Sequence, residues 1–228
     1  LDYHKTFASY RNIKKRFFDC LTSDSFAIIN SDDKNSKFMV QNCLSKIKTF
    51  GIKNLADNNG KILEIDFSGM LLKINNKEFW TPLVGKFNAS NLLAVFSVAN
   101  LAGIKSIEIL RILSQTKGIN GRFEIVKTPN NAFVIVDYAH TPNGLQNVID
   151  TISQIRTKNE VFITIIGCGG NRDLGKRSKM GEIVLNGCDK VIFTSDNPRY
   201  EKPEKIINDM LLGINPNNMK KISKIVNR

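Results

Sequence analysis

Residues 161–181, VFITIIGCGGNRDLGKRSKMG, decide the fold of the second half of the chain. A run of β-branched and apolar residues leads into a glycine-rich loop, and a helix-like segment follows it. A buried strand, a glycine loop and a helix in this order are typical of parallel α/β sheets, whose binding groups lie at the carboxyl ends of the strands. The sequence therefore predicts a strand-to-helix turn that has a binding function.

The loop is similar to a nucleotide-binding P-loop but departs from that pattern at one position. The P-loop has a serine or threonine directly after its lysine, because that hydroxyl binds Mg²⁺. Gly170, Gly175 and Lys176 have the required spacing, but Arg177 follows and Ser178 comes one residue too late. Glycines, cations and a helix amino terminus still suit an anion. We interpret the loop as a carboxylate or phosphate site, and a plain glycine-rich turn with solvated charges is the alternative.

Strands and helices alternate through the rest of the second half. The pattern predicts strands at 133–137, 161–167, 191–196 and 220–226, and helices at 141–155, 178–187 and 203–213. Thr141 is the expected N-cap of the first of these helices, with Pro142 in its first turn. Apolar strands that alternate with helices of this length indicate a parallel, doubly wound sheet.

The first half has a different organisation. The pattern predicts a helix at 6–19, a buried strand at 25–30, antiparallel strands within 61–83, and helices at 88–101 and 106–114. A hairpin is expected at Asn75–Asn76. A break rich in glycine and asparagine places a domain boundary near Lys117–Gly121, so the predicted domains are residues 1–117 and 118–228.

Composition narrows the class of protein. The 228 residues include 33 basic and 21 acidic side chains, a net charge of +12, which can indicate a nucleic-acid partner. The lysines are spread along the whole length without a basic tail, so nucleic-acid binding is not expected. No apolar run approaches the roughly 18 residues of a membrane span. The four cysteines and two histidines show no zinc-site spacing, and reduced thiols in the cytoplasm are the expected state.

Two polar clusters follow predicted strands. In DYAH, at 137–140, Asp137 can accept hydrogen bonds from ribose hydroxyls and His140 can contact phosphate or transfer a proton; the alternative is that the cluster only organises a turn.

In DNPR, at 196–199, Asp196 suits an ammonium group, Arg199 a carboxylate, and Asn197 either partner. Together with Arg172, these groups can hold both ends of a zwitterionic amino acid. An Asx turn before a helix is the alternative for DNPR.

Two further candidates lie in the first half. The segment GKFNASN, at 85–91, opens a helix with two asparagines, which can pair with an adenine edge; Asn88 as an ordinary N-cap is the alternative. Lys14 lies on an amphipathic helix among aromatic residues, where a surface lysine is the ordinary interpretation.

These motifs, in this order, resemble the Mur ligase family over nearly the whole chain. The matching segments are LDYH at 1–4 with Lys14, INSDD at 29–33, GKFNASN at 85–91, GRFE at 121–124, DYAHTPN at 137–143, GCGGNRDLGKR at 167–177 and DNPR at 196–199. The resemblance implies an α/β chain in which part of a central P-loop-ATPase-like domain precedes an incomplete Rossmann-like, parallel-sheet domain that binds an amino acid. It also implies an ATP-dependent, amide-forming ligase of peptidoglycan synthesis.

The resemblance implies a role for each candidate residue. Lys14 matches a lysine that is carbamylated and binds Mg²⁺, while Asn91, Arg122, Asp137 and the neighbouring His140 match the ATP site. Arg172, Asp196, Asn197 and Arg199 match the set that binds the incoming amino acid. The arginine of DNPR is associated with meso-diaminopimelate, which would be added to a UDP-muramoyl dipeptide by way of an acyl phosphate. A lysine-adding ligase and a non-catalytic nucleotide-binding remnant remain the alternatives.

The chain also departs from the family pattern. The family's P-loop, its uridine-binding domain and a histidine metal ligand are expected before Leu1, and a further motif is expected after Arg228. Lys5 stands where the family usually has glycine. The resemblance therefore implies part of an ATP site and most of an amino-acid site, and no turnover is expected from this segment alone. A monomer is also expected.

Overall fold

A computed structural model describes residues 6–228 of the protein. The chain forms two compact units, of which the first ends at Ile119 and the second begins at Asn120. Within the described residues, no helix combines the length and apolar character needed to cross a membrane.

The described part of the first unit contains one mixed sheet and its covering helices. The strands are β1 Phe26–Asn30, β2 Lys46–Gly51, β3 Asn58–Asp66, β4 Gly69–Ile74 and β5 Lys77–Thr81, and the helices are α1 Phe7–Asp19, α2 Ser36–Met39, α3 Lys86–Leu101 and α4 Ser106–Gln115. The strands lie in chain order. The β1–β2 and β2–β3 pairs are parallel, whereas β3–β4 and β4–β5 are antiparallel.

Most of the predicted elements of this unit are confirmed. The hairpin turns at Asn75–Asn76, where Asn75 has a φ of 52° in the left-handed region that asparagine tolerates. The long helix begins earlier than predicted, at Lys86, with Gly85 as its N-cap. Asn88 is therefore not the N-cap, and its Nδ2 instead donates to the carbonyl of Val84 at 2.8 Å. Strand β2 was not predicted, because KIKTFG has few apolar residues and alternates poorly.

A buried polar connection joins the sheet to α3. Asn58 Nδ2 donates to Ser97 Oγ at 3.1 Å, and the Ser97 hydroxyl donates to the carbonyl of Leu93 at 2.8 Å. The turn residue Asn75 donates to Asn58 Oδ1 at 3.2 Å. Since each of these polar groups is paired, their burial carries no large desolvation penalty, and the pairing fixes the position of the helix on the sheet.

The described second unit contains two separate sheets. The strands are β6 Glu124–Lys127, β7 Phe133–Val136, β8 Ile163–Ile166, β9 Lys190–Thr194 and β10 Ile222–Ile225; the α-helices are α5 Pro142–Ile155, α6 Gly175–Gly187 and α7 Pro203–Met210, and a 3₁₀ helix spans Pro216–Lys221. Strands β8, β9 and β10 form a parallel sheet in the order β10-β9-β8. Val191 and Phe193 of β9 are fully buried beneath the helices.

One strand of this unit pairs differently from the prediction. Strand β7, expected in the parallel sheet, pairs with β6 in an antiparallel hairpin. The reason is local, because β6 was not foreseen and a tight turn joins the two strands. In this turn the Thr128 N–H donates to the Ala132 carbonyl at 2.8 Å, and Asn131 has a φ of 61°. The α/β class with a parallel sheet is confirmed by β8–β10.

Helices α5 and α6 place the loops that matter for binding. As predicted, Thr141 caps α5 by accepting from the N–H of Gly144, and Pro142 opens its first turn. Helix α6 begins at Gly175, before the predicted start at Ser178. The earlier start aligns Arg177 with Met180 and Val184 on one helical face, and all three side chains are buried.

The guanidinium of Arg177 is completely inaccessible to solvent. Its Nη1 donates to Glu201 Oε2 at 2.8 Å and to Asp209 Oδ2 at 2.7 Å, and its Nη2 donates to Glu201 Oε1 at 2.7 Å. The hydrogen bonds to Glu201, and then to Asp209, raise the pKa of Arg177, although burial opposes them. The pair with Glu201 is bidentate, which is the strong geometry for arginine and a carboxylate. One buried cation thus ties α6 to α7 and to the loop before it.

We expect Arg177→Met to destabilise the second unit by about 3 to 5 kcal/mol, because it leaves two poorly solvated carboxylates without their cation. Urea unfolding followed by far-ultraviolet circular dichroism measures the loss. The fluorescence of Trp80, the chain's one tryptophan, reports on the first unit alongside it. Arg228→Met is the control, because its pair with Asp196 is 70% and 51% exposed and contributes less than about 1 kcal/mol. Equal losses in the two variants would contradict the role given to Arg177.

The same cluster predicts an acid-dependent loss of stability. The hydrogen bond from Arg177, followed by that from the N–H of Asn171, lowers the pKa of Glu201 from 4.5 to about 2. Since folding favours the ionised form, this contribution is fully present above pH 4.5 and is lost as the pH falls through about 2. The difference in unfolding free energy between the natural chain and Glu201→Gln should therefore shrink on acidification. A difference that is independent of pH would contradict this assignment.

Candidate functional site

The loops that follow β8 and β9 lie against each other at the carboxyl edge of the parallel sheet. The Gly170 N–H donates to the Asn197 carbonyl at 2.8 Å, and Arg199 Nη1 donates to the Gly170 carbonyl at 2.9 Å. A Cβ at position 170 would lie 1.8 Å from the carbonyl oxygen of Pro198. Only glycine permits this approach, so the two loops act as one structural unit.

A second set of bonds connects the same loops one residue further along. The Asn171 N–H donates to Glu201 Oε1 at 2.5 Å, and the Tyr200 N–H donates to Asn171 Oδ1 at 3.1 Å. Asn171 and Arg199 each have a φ of 50°, in the left-handed region that asparagine tolerates and in which arginine is strained. The cross-loop bonds hold both residues in this conformation, and such held strain is concentrated at functional sites.

All four residues predicted to bind an amino acid lie on these two loops and are exposed: Arg172, Asp196, Asn197 and Arg199. The structure therefore brings cations and a carboxylate together at one edge of the sheet. Asp196 Oδ1 lies 3.5 Å from Nη1 of Arg228, and this contact is largely exposed. Cations beside an anion, held on a fixed backbone, can accept both the carboxylate and the ammonium of an amino acid.

Three of the four residues predicted for a nucleotide, Arg122, Asp137 and His140, flank the β6–β7 hairpin. Asp137 Oδ2 accepts from the Phe123 N–H at 2.8 Å, and Oδ1 accepts from the Ala139 N–H at 2.7 Å. The Arg122 guanidinium stacks over the Tyr138 ring, 4.5 Å from its centroid. His140 Nδ1 lies 3.0 Å from the Tyr138 carbonyl oxygen. Asp137 therefore does organise the turn, and the remaining acceptor sites of its carboxylate still suit ribose hydroxyls.

Lys176 and Arg177, two cations of the glycine-rich loop whose individual roles the sequence leaves open, have defined places in the structure. Lys176 Nζ donates to the carbonyl of His140 at 2.9 Å and so joins the DYAH turn to the start of α6. Arg177 points into the core, so it cannot contribute to the anion site that its loop suggested. Its spacing to Met180 and Val184 on the buried face was the signal in the sequence. Glu201 lay outside every recognised motif, and no signal in the sequence identified it.

Lys14 and Asn91 belong to the first unit, and both are exposed. Lys14 Nζ lies 5.7 Å from the centroid of the Tyr10 ring, while its neighbour Lys15 is buried and pairs with Asp19. The described residues contain no group of three or more His, Cys, Asp or Glu side chains able to hold a metal ion. The predicted carbamate and Mg²⁺ at Lys14 therefore stay a prediction. His4 and Lys5 lie outside the described residues.

The loop after β1 is fixed by Asp32, which belongs to the INSDD motif. Its carboxylate accepts from the N–H groups of Ile52, Lys53 and Asn54 at 2.8 to 3.2 Å. Burial raises the pKa of Asp32, but the three backbone hydrogen bonds together outweigh burial and lower it. Burial, and then the nearby charge of Lys53, lowers the pKa of Lys86. The motif therefore fixes the loops at the carboxyl edge of the parallel strands of this unit.

Curated proteins are similar to this chain in sequence over its whole length or nearly so. It is 48% identical over 228 residues to a UDP-N-acetylmuramoyl-L-alanyl-D-glutamate–2,6-diaminopimelate ligase from Phocaeicola vulgatus and 40% identical over 225 residues to one from Bacillus velezensis. The two alignments cover 100% and 94% of this chain, and 47% and 45% of those relatives. The chain therefore spans about half the length of the curated relatives it matches.

Solved structures agree with this relationship. A structure of a UDP-N-acetylmuramoyl-L-alanyl-D-glutamate–2,6-diaminopimelate ligase superposes with a TM-score of 0.59 at 33% identity, covering 99% of this chain and 47% of that one. UDP-N-acetylmuramate-alanine ligase from Thermotoga maritima gives a TM-score of 0.72 at 19% identity, covering 99% of this chain and 48% of that one, and shares the fold.

Two family models match successive parts of the chain. The Mur ligase middle domain matches residues 1–99, and the Mur ligase glutamate ligase domain matches residues 121–228. Together with the relatives that align over the whole chain, these matches assign both units to the same family. The chain belongs to the Mur ligase family.

Proposed function

We propose that the chain forms the middle and amino-acid-binding parts, predicted at 1–117 and 118–228, of an ATP-dependent ligase that adds meso-diaminopimelate to UDP-N-acetylmuramoyl-L-alanyl-D-glutamate. One observation carries the proposal: the DNPR arginine, Arg199, donates from its own loop to the Gly170 carbonyl of the glycine loop, which carries Arg172. The names of the relatives at 40% to 48% identity support the same choice of substrates.

The charges of diaminopimelate match this set of side chains. Each end of the molecule carries an ammonium and a carboxylate, so binding both ends needs more than one cation as well as an acceptor. Arg199 and Arg172 supply two guanidinium groups, which suit planar carboxylates, and Asp196 and Asn197 supply acceptors for ammonium. Lysine has a single carboxylate and would leave one guanidinium unused, which makes the lysine-adding ligase the weaker alternative.

The residues of the DYAH turn fit one part of a nucleotide. In the second unit, Asp137 offers acceptors for ribose, and Arg122 and His140 offer groups for phosphate. In the first unit, considered by itself, Asn91 offers an amide that suits an adenine edge. When bound, ATP supplies the phosphoryl group that converts a carboxylate into a reactive acyl phosphate. The described residues contain no group of three or more His, Cys, Asp or Glu side chains for Mg²⁺. A carbamate on Lys14 would supply an oxygen ligand for that ion. We further propose that the protein acts as a monomer in the cytoplasm, where ATP is available.

The test uses the protein encoded by the complete open reading frame that contains this segment. With ATP and the UDP-muramoyl dipeptide, we expect amide formation with meso-diaminopimelate and little with lysine. Arg199→Ala should raise KM for diaminopimelate by at least about tenfold and leave KM for ATP within about twofold, because it removes a charge-assisted contact to one substrate only. Isotope-labelled amino acids measure product formation directly.

Other outcomes would separate the alternatives. Equal loss of diaminopimelate and ATP binding in Arg199→Ala would overturn the assignment of this arginine, and preference for lysine would favour the lysine-adding ligase. Salt-sensitive binding to arbitrary DNA, without a response to either amino acid, would favour a non-catalytic remnant that binds nucleotides or nucleic acid.

Substitution of Gly169 gives a second test, which should leave the stability of the fold nearly unchanged. A Cβ at this position would lie 2.9 Å from Arg199 Nη1, the mobile tip of a side chain, so Gly169→Ala should displace the guanidinium without disturbing the backbone. We expect KM for diaminopimelate to rise about threefold or more at a nearly unchanged melting temperature. In the control Gly175→Ala, the added Cβ meets only the Asp173 side chain, at 3.3 Å. A melting temperature that falls in parallel with affinity would count against this account.

A further inference from the structure

We propose that Glu201 is a positioning residue for the amino-acid substrate, because its carboxylate sets the placement of the Arg199 turn against the glycine loop 167–174. The inference rests on the proposed function for the identity of the substrate. Glu201 does not belong to the four residues assigned to the amino acid, and it acts through the backbone on which two of them, Arg172 and Arg199, are carried.

The first step of the argument is the turn that contains Arg199. The Glu201 N–H donates to the Pro198 carbonyl at 3.0 Å, which closes a four-residue turn with Arg199 at its second position. Arg199 has a φ of 50° there, a conformation that such turns normally assign to glycine or asparagine. An arginine in this place needs support from outside the turn, since its own backbone preference opposes the conformation.

The Glu201 carboxylate provides this support by accepting hydrogen bonds from the glycine loop and from helix α6. One oxygen, Oε1, accepts from the N–H of Asn171 on the glycine loop and from Arg177 Nη2, and the other, Oε2, accepts from Arg177 Nη1. The side chain is 15% exposed, so water competes weakly for these bonds. A single carboxylate therefore joins the Arg199 turn, the residue before Arg172, and the first turn of α6.

The charge of Glu201 is needed for this arrangement. Both partners are donors, and an ionised carboxylate has acceptor sites for all three bonds. A glutamine keeps one oxygen but turns an NH₂ group toward a donor, so at least one of the bonds is lost. The position of the Arg199 guanidinium, which donates to the Gly170 carbonyl, then depends on a turn with one anchor fewer.

Asp209 provides a matched comparison for the experiment. Its carboxylate accepts from the same Arg177 Nη1 at 2.7 Å and is 26% exposed. Within residues 6–228 it has no hydrogen bond to the glycine loop or to the loop that carries Arg199. Glu201→Gln and Asp209→Asn each remove one negative charge from the same buried cation. A purely structural role for the cluster predicts the same consequences for both variants, whereas a positioning role predicts different ones.

The experiment measures steady-state kinetics and stability of both variants in the protein from the complete reading frame. We expect both to lower the melting temperature, but only Glu201→Gln to raise KM for diaminopimelate, by about tenfold, with KM for ATP unchanged. Hydrogen exchange provides a readout that needs no substrate: the amides of Asn171 and Tyr200 should exchange faster in Glu201→Gln than in Asp209→Asn.

The outcomes are distinguishable from failure of the proposed function. A natural enzyme that ligates no diaminopimelate overturns the proposed function and, with it, the substrate named here; the exchange rates then still decide whether Glu201 fixes the two loops. An active natural enzyme whose two variants have equal KM values and equal exchange at Asn171 and Tyr200 overturns the positioning role. Raised KM values for diaminopimelate and ATP together would also overturn it, since that result indicates a general loss of structure.

Discussion

The second unit depends on the pairing of one buried guanidinium with two carboxylates. Arg177 has no access to water, so it needs anionic partners inside the protein, and Glu201 and Asp209 meet that requirement from an adjoining loop and from α7. Because the pair with Glu201 is bidentate, it fixes direction as well as distance. The glycine loop, the DNPR turn and two helices are thereby placed relative to one another before any ligand binds.

This placement explains why exposed side chains can form a precise site. Arg172, Asp196 and Arg199 lie on loops, and loops position side chains less exactly than helices or strands do. Here the two loops share backbone hydrogen bonds at Gly170 and Asn171, and the left-handed residues on both are held by partners on the other loop. The buried ion pair therefore makes two surface loops behave as one rigid element.

Much of the fold and of the candidate site could be predicted from the sequence. Apolar periodicity and turn residues located the main helices, the Asn75–Asn76 hairpin and the parallel strands, because each signal is contained in a short window. The pairing of β7 with β6 depended on a four-residue strand without a clear pattern, so it was missed. Arg177 has the spacing of a buried position on α6, but the predicted helix began at Ser178 and left this arginine in the loop. Glu201 joins residues 24 to 30 positions apart, and such contacts have no local pattern in the sequence.

The close approach of Gly170 to Pro198 limits how such a site can diverge. No residue other than glycine fits at position 170, because even a Cβ there would lie 1.8 Å from the Pro198 carbonyl oxygen. Any other residue would require the backbone of both loops to move. Substitutions that keep this backbone are therefore limited to the exposed side chains of the two loops. In the proposed amino-acid site, a change of substrate would therefore require new side chains at a few exposed positions and no change in the backbone.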